Sequence, residues 1–166
     1  GRSDYAVCVG NGTSVETAGP RAGPAADIYQ NGDNPSNWGS ARYSNYQGVS
    51  HPRSRVRVSD IVKGSSQQIL VGEKYLNPDH YATGTGQADN ECMYTGMNND
   101  VCRTTREPPL RDTRGVSNAT RFGGPHVSGS VFVMGDGAVR SVNFDVDAAL
   151  FAPLGDIQSD AVDLAP

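Results

Sequence analysis

The sequence predicts a single α+β domain, predominantly β, with a small antiparallel sheet of about four to five strands, long ordered loops and one or two short helices. Three observations predict this fold class. Short runs of β-forming residues alternate with turn signals such as Gly-Asn-Gly and Gly-Asp-Gly. The chain contains 20 glycines and 10 prolines, well above the combined share of about 12% in average proteins. Its 166 residues suffice for one hydrophobic core and are too few for two, so residues 1–166 are expected to form one domain.

The first half of the chain contains one clear strand. This strand is predicted at residues 4–9, where a Gly-Asn-Gly turn closes the run. Residues 13–52 are predicted to form a loop, because Gly-Pro, Asn-Gly and Asn-Pro pairs interrupt every candidate element. Residues 55–58 alternate like an edge strand. Residues 59–64 are typical of one helical turn that a glycine ends.

The second half contains the predicted centre of the sheet. Residues 68–73 are the clearest candidate for a central strand, and residues 77–124 follow as a second long loop. Two strands at residues 130–134 and 138–142 flank a Gly-Asp-Gly sequence, which is a strong hairpin signal. Residues 146–154 are predicted to form a short helix.

The charge of the chain argues against a nucleic-acid partner. Its formal net charge is -4 at pH 7 and its pI is near 5.2, whereas a nucleic-acid-binding domain usually carries a basic patch and a high pI. No apolar run approaches the roughly 20 residues that a membrane-spanning helix needs.

The three cysteines predict a disulfide in the second long loop. Cys92 and Cys102 lie ten residues apart and are expected to bridge, as is typical of an oxidising compartment. Zinc is disfavoured, because no C-x-x-C pair or neighbouring histidine completes a site. Cys8 is then either a buried thiol in a strand or the partner of a cysteine in a missing segment.

Motifs for catalysis are absent from the sequence. It contains no G-x-S-x-G elbow, H-E-x-x-H pair, P-loop or dinucleotide fingerprint, so we expect neither an enzyme nor an organic cofactor. Calcium is the one cofactor that the loop carboxylates suit, since it takes six to eight oxygen ligands from flexible loops. Asp136, Asp145 and Asp147 bracket the last strand and are the candidate ligands. The alternative is that they are turn and cap carboxylates that bond their own backbone.

One loop is rich in aromatic residues. Tyr29, Trp38, Tyr43 and Tyr46 fall within residues 28–46 and offer surfaces on which a glycan or small solute stacks. The alternative is that these rings pin a long loop to the core.

The segment from His126 to Gly137 contains an unusual spacing. His126 is followed by nine residues and then by Asp136 and Gly137. Gly137 suits a positive φ in a turn, and Asp136 suits acceptance of backbone N–H groups within that turn. His126 is expected to bond a carbonyl or carboxylate at the other end of the strand. An extended chain of this length spans roughly 30 Å, so His126 and Asp136 are not expected to form a catalytic dyad.

Together with three other blocks, this spacing resembles the prepilin-type processing-associated H-x9-D-G family, many of whose members are similar to pseudopilin G of type II secretion. The blocks lie at residues 2–10, 59–73 and 98–112 and appear in family order across nearly the whole chain. Within the central block, Lys63 and Gly64 replace the family's Asp-Gly, so a turn carboxylate is missing.

The resemblance implies a pilin-like head whose N-terminal helix is absent from this chain, displayed extracytoplasmically in the periplasm or on the surface of a bacterium. The implied partners are the protein's own N-terminal region or other pilin-like subunits, and only the absent helix would touch the membrane. We therefore expect a non-enzymatic structural domain of type II secretion or pilus-type assembly, with an apolar sheet face that another segment covers. The alternative function is a glycan- or solute-binding module that uses residues 28–46.

The fold is expected to depend on Gly72 and Glu73 as well as on the H-x9-D-G residues. Glu73 ends a strand that the pattern predicts to be buried. A buried carboxylate needs a partner, and Arg106 or Arg103 is the expected one.

Overall fold

The computed structural model describes residues 1–17 and 46–161, which form seven strands and one short α-helix. The strands are β1 (Tyr5–Cys8), β2 (Ile69–Glu73), β3 (Cys102–Arg103), β4 (Leu110–Arg111), β5 (Gly123–Gly124), β6 (Gly129–Met134) and β7 (Val139–Asn143). Helix α1 (Ala148–Phe151) continues as a 3₁₀ turn at Ala152–Gly155. Further 3₁₀ turns lie at Val58–Asp60, Ser65–Gln67 and Pro78–His80.

Five of the strands form one sheet in the order β3-β1-β2-β6-β7. All of its pairings are antiparallel except that between β1 and β3, so the sheet is mixed. The predicted β-rich α+β class and the central position of β2 are confirmed. Strands β4 and β5 form a separate parallel pair, which the sequence did not predict.

The predicted hairpin is confirmed at β6 and β7. Val133 lies opposite Val139, and the turn between them places Gly137 at φ 83°. The N–H of Ala138 donates to the Asp136 carboxylate at 2.9 Å. Asp136 and Gly137 therefore shape the turn, because the first satisfies a backbone donor and the second adopts a left-handed conformation at little cost.

The main core covers one face of the sheet. Its centre is a chain of three rings in edge-to-face contact, in which Phe132 lies 5.2 Å from Phe122 and 5.7 Å from Phe151 between ring centroids. Such pairs contribute about 0.5–1.5 kcal/mol beyond area burial. Gly72 lies beneath these rings, and a Cβ there would come within 2.5 Å of the Phe132 ring. Glycine at position 72 therefore lets the rings pack directly on the central strand.

The opposite face of the sheet is only partly covered. At its β1–β3 end lies a smaller cluster formed by Val9, Val15, Tyr46 and Cys102. Beyond this cluster, cross-strand register places Val71, Val133 and Val139 side by side, with Val131 two residues along β6. Val71, Val131 and Val133 are half-buried, whereas Val139 is 66% exposed. We call these four residues the valine patch.

Two predicted elements differ in the structure. Residues 55–57 form no strand, and Val58–Asp60 is a 3₁₀ turn whose entry is fixed by the bond from the Arg57 N–H to the Asp60 carboxylate at 2.7 Å. Alternation alone does not make a strand without a neighbour to pair with, and Val58 is 69% exposed. Of the helix predicted at residues 146–154, only Ala148–Phe151 is α-helical. Asp147 caps its first turn, and the chain continues as a 3₁₀ turn that contains Pro153.

The predicted bridge between Cys92 and Cys102 is wrong for this fold, because all three cysteines are free. Cys102 is buried in β3 and Cys92 lies in an exposed turn. Cys8 is the buried strand thiol that the sequence allowed. Val7, and not Cys8, lies opposite Cys102 in the register of β1 and β3. Cys102 therefore belongs to the smaller cluster, against which Val7 packs, whereas Cys8 belongs to the main core. Burial raises the pKa of Cys8 to about 12 and that of Cys102 to about 11.

We predict that a thiol reagent modifies only Cys92 in the native protein, because the other two cysteines are buried and protonated. Ellman titration without reductant should count one fast thiol when folded and all three in urea, and Cys92→Ser should abolish the fast phase. A count of only one thiol in urea would show that Cys92 and Cys102 are bridged after all.

Candidate functional site

A cleft of about 390 Å³ opens where β2 ends and β1 begins. Four of its lining residues are acidic, and two tyrosines lie among the others. Its lining residues are Asp4, Tyr5, Glu73, Lys74, Leu76, Tyr81, Asp89, Asp112, Gly124 and Pro125. We call this site the acidic cleft.

Glu73 forms the inner wall of the acidic cleft and joins two parts of the chain. Its Oε1 lies 2.9 Å from Nε2 of His126, and its Oε2 accepts the N–H of Val131 at 2.9 Å. The Glu73 side chain is 14% exposed and that of His126 is 53% exposed. The expectation that His126 bonds a carboxylate is therefore confirmed. Hydrogen bonds of ionised groups are the stronger kind, so the Glu73 carboxylate braces the entry to β6.

The expected arginine partners of Glu73 are wrong. Arg106 is exposed, and its backbone N–H bonds the Thr104 hydroxyl. Arg103 is fully buried on β3, which β1 separates from β2. Its Nη1 donates to the carbonyls of Asn99 and Cys102, whereas its Nε and Nη2 find no acceptor among the described residues. Burial lowers the pKa of Arg103 to about 10.

Lys74 fastens the long loop that follows β2. It is 2% exposed, and its ammonium donates to the carbonyls of Ala88 and Asp100 and to the carboxylate of Asp89, at 3.1, 3.0 and 2.8 Å. Each of the three ammonium protons thus has a hydrogen-bond acceptor, as burial of a cation requires. Lys74 is therefore engaged by its own chain, although it lines the acidic cleft.

Asp112 is a second carboxylate in the lining of the acidic cleft. It accepts the N–H of Leu76 at 3.0 Å and the hydroxyl of Tyr81. Burial raises the pKa of the Asp112 carboxyl, and the nearby charges of Glu73 and Asp4 raise it further. Burial and the Asp112 carboxylate likewise raise the pKa of the Tyr81 hydroxyl. A shifted carboxyl in a cleft is a recognised mark of a functional site.

The chemistry of the acidic cleft favours a positively charged group. Tyr5 and Tyr81 are 55% and 52% exposed, and the electron-rich face of an aromatic ring attracts cations. Within the part of the chain that the structure describes, no lysine or arginine forms an ion pair with Asp4, Glu73 or Asp112. Glu73 is already held by His126 and by the N–H of Val131, so the carboxylates of Asp4 and Asp112 are the ones available to an incoming ligand.

The predicted calcium ligands are not assembled. Residues 1–17 and 46–161 contain no group of three or more His, Cys, Asp or Glu side chains placed to hold a metal ion. Asp136 bonds the hairpin turn, Asp147 caps α1 through the N–H of Ala149, and Asp145 is exposed. Asp136 and Asp147 are therefore the turn and cap carboxylates of the alternative interpretation.

The aromatic residues predicted to stack on a ligand divide into two sets. Tyr29, Trp38 and Tyr43 lie outside the described residues. Tyr46 is only 7% exposed, and its hydroxyl donates to the carbonyl of Glu16 at 2.7 Å. It is wrong as a stacking surface, because its ring belongs to the smaller core cluster and pins its own segment.

Sequence reasoning missed most of the acidic cleft. Tyr5, Lys74, Tyr81 and Asp112 were not singled out, because they come from segments far apart in the chain. One local signal was present: a charged pair, Glu73-Lys74, directly follows the apolar run of the central strand. Charges at the end of a buried strand need partners, so this pair indicates that other polar groups gather around it in the folded chain.

A family model described as "Protein of unknown function (DUF1559)" matches residues 5–149. The matched residues include all seven strands and every residue of the acidic cleft except Asp4. No curated protein and no solved structure matches the chain. Among the described residues, no helix has the length and apolarity needed to span a membrane.

We predict that Asp112→Asn changes how stability depends on pH. The pKa of this carboxyl is raised above 3.8 in the folded state, so the folded chain holds the proton more tightly than the unfolded chain does. The stability from Asp112 is thus fully present below pH 3.8 and is lost as the pH rises through the folded-state pKa.

Urea unfolding of both proteins between about pH 4 and pH 7 measures this effect. The stability of the wild type relative to Asp112→Asn should fall across that range. Asp160→Asn, which alters an exposed carboxylate outside the acidic cleft, is the matched control. A difference between wild type and Asp112→Asn that stays constant with pH would contradict the assignment.

Proposed function

The chain belongs to the family of proteins of unknown function called DUF1559, and we propose that it is a non-enzymatic, pseudopilin-like structural domain displayed outside the cytoplasm. In this proposal the domain takes part in type II secretion or pilus-type assembly. Its sheet packs, through the valine patch, against an apolar segment of its own full-length protein or of another subunit.

The valine patch is the observation that carries this proposal. An antiparallel sheet with one face on the core usually places polar residues on its other face. Here Val71, Val131, Val133 and Val139 occupy that face on three adjacent strands. Neighbouring strands lie about 4.8 Å apart, so the valines form a continuous surface. Contiguous apolar surface that stays partly exposed, as at these three half-buried valines and the exposed Val139, is typical of a contact site.

The H-x9-D-G residues also support a structural role. His126 is hydrogen-bonded to Glu73 at the entry to β6, whereas Asp136 and Gly137 form the turn at the far end of the same strand. The bond between His126 and Glu73 fixes the start of β6, and the Asp136–Gly137 turn fixes its end. The motif therefore holds in place the strand that carries half of the valine patch.

The proposal predicts a contact at the valine patch in the intact protein. A photo-crosslinking amino acid placed at Val133 or Val139 of the full-length gene product, expressed in its native bacterium, should give an adduct. Mass spectrometry should identify an apolar segment of the same protein or of a co-assembled subunit.

The matched control is Val62, which is 62% exposed, lies outside the sheet and does not line the acidic cleft. The same crosslinker at Val62 should give little of that adduct. If the yields at positions 133 and 139 do not exceed the yield at position 62, no segment covers the patch and the proposed function is wrong.

A further inference from the structure

The acidic cleft and the valine patch are continuous on one face of the sheet. Tyr5 lies opposite Glu73 in the register of β1 and β2, and Val71 precedes Glu73 by two residues on the same strand. Two residues along a strand span about 6.8 Å and point to the same face. An apolar surface therefore ends, within one side-chain length, at a cleft walled by carboxylates.

Among the described residues, Asp4 and Asp112 have no cationic partner, whereas Glu73 is paired with His126. Lys74, the cation in its wall, is held by Asp89 and by two carbonyls. Asp4 has an exposed side chain, and the half-buried Asp112 accepts only uncharged donors, a hydroxyl and an N–H. A neutral hydroxylated ligand would leave the repulsion among these carboxylates unchanged, whereas a cation would relieve it.

We propose that the segment covering the valine patch carries a basic side chain, arginine or lysine, which enters the acidic cleft and binds between its carboxylates and the rings of Tyr5 and Tyr81. This inference rests on the proposed function, since it names the charge chemistry of the partner at the same face. Burial of the valine patch would exclude water beside the ion pairs and so strengthen them.

The shape and composition of the cleft fit a side chain better than a bare metal ion. A volume of about 390 Å³ exceeds the need of one cation, and the described residues contain no metal-binding group. A guanidinium is planar, presents five donors and stacks on aromatic rings. Tyr5 and Tyr81 supply the rings, and Asp4 and Asp112 supply the carboxylates.

Nuclear magnetic resonance titration of the 166-residue chain tests this inference. The probe is an amphipathic leucine–alanine helical peptide with a single arginine. Its counterpart carries citrulline, which has nearly the same shape but no charge. The arginine peptide should bind about tenfold more tightly, shifting amide signals of the valine patch and of Tyr5 together.

Two variants locate the effect. The double variant Asp4→Asn with Asp112→Asn should abolish the preference for arginine, and both peptides should still shift the valine patch. Asp160→Asn removes an exposed carboxylate outside the cleft and should retain the preference. A preference that Asp160→Asn reduces as much as the double variant does would reflect overall charge and would overturn the inference.

The remaining outcomes separate the two proposals. Equal binding of the arginine and citrulline peptides at the valine patch would contradict the inference of a basic side chain and leave the proposed function standing. Binding of neither peptide at the patch would count against both. Binding of the arginine peptide with shifts only in the acidic cleft would contradict the inference that one segment covers both the valine patch and the cleft.

Discussion

The carboxylate of Glu73 is the interaction on which the arrangement of this domain depends. Glu73 is the last residue of β2, and its carboxylate accepts the N–H of Val131 on β6. This side-chain bond continues the link between β2 and β6 beyond the last backbone pairing. The same carboxylate holds His126. One side chain thus aligns the hairpin with the sheet centre, positions the valine patch and forms the inner wall of the acidic cleft.

The next residue, Lys74, does for the long loop what Glu73 does for the hairpin. Its three bonds tie Ala88, Asp89 and Asp100 to the end of the central strand. A loop of this length closes at an entropic cost, and a buried ammonium with three acceptors offsets it. Adjacent residues of opposite charge therefore fix the short connection that leads into β6 and the long connection between β2 and β3, and Gly72 beside them lets the aromatic core approach the strand.

Sequence patterns predicted the parts of this fold that local signals determine. The runs of β1 and β2 and the Gly-Asp-Gly hairpin depend on neighbouring residues alone. The strands β3, β4 and β5 have two residues each, too few for any periodicity. Cysteine spacing did not reveal that Cys102 is buried. The partners of Glu73 and the residues of the acidic cleft come from distant segments, so only the folded chain brings them together.

The central claim is tested most directly by amide hydrogen exchange at Val131, with the free energy of unfolding, in Glu73→Ala. Loss of the acceptor should expose the Val131 N–H to exchange and reduce stability by about 2 kcal/mol, since a partly buried donor is left unpaired. Glu107→Ala, which removes a carboxylate that is 54% exposed, is the control and should change stability by less than about 0.5 kcal/mol. If Glu73→Ala leaves both the protection of Val131 and the stability at control values, Glu73 does not brace the sheet.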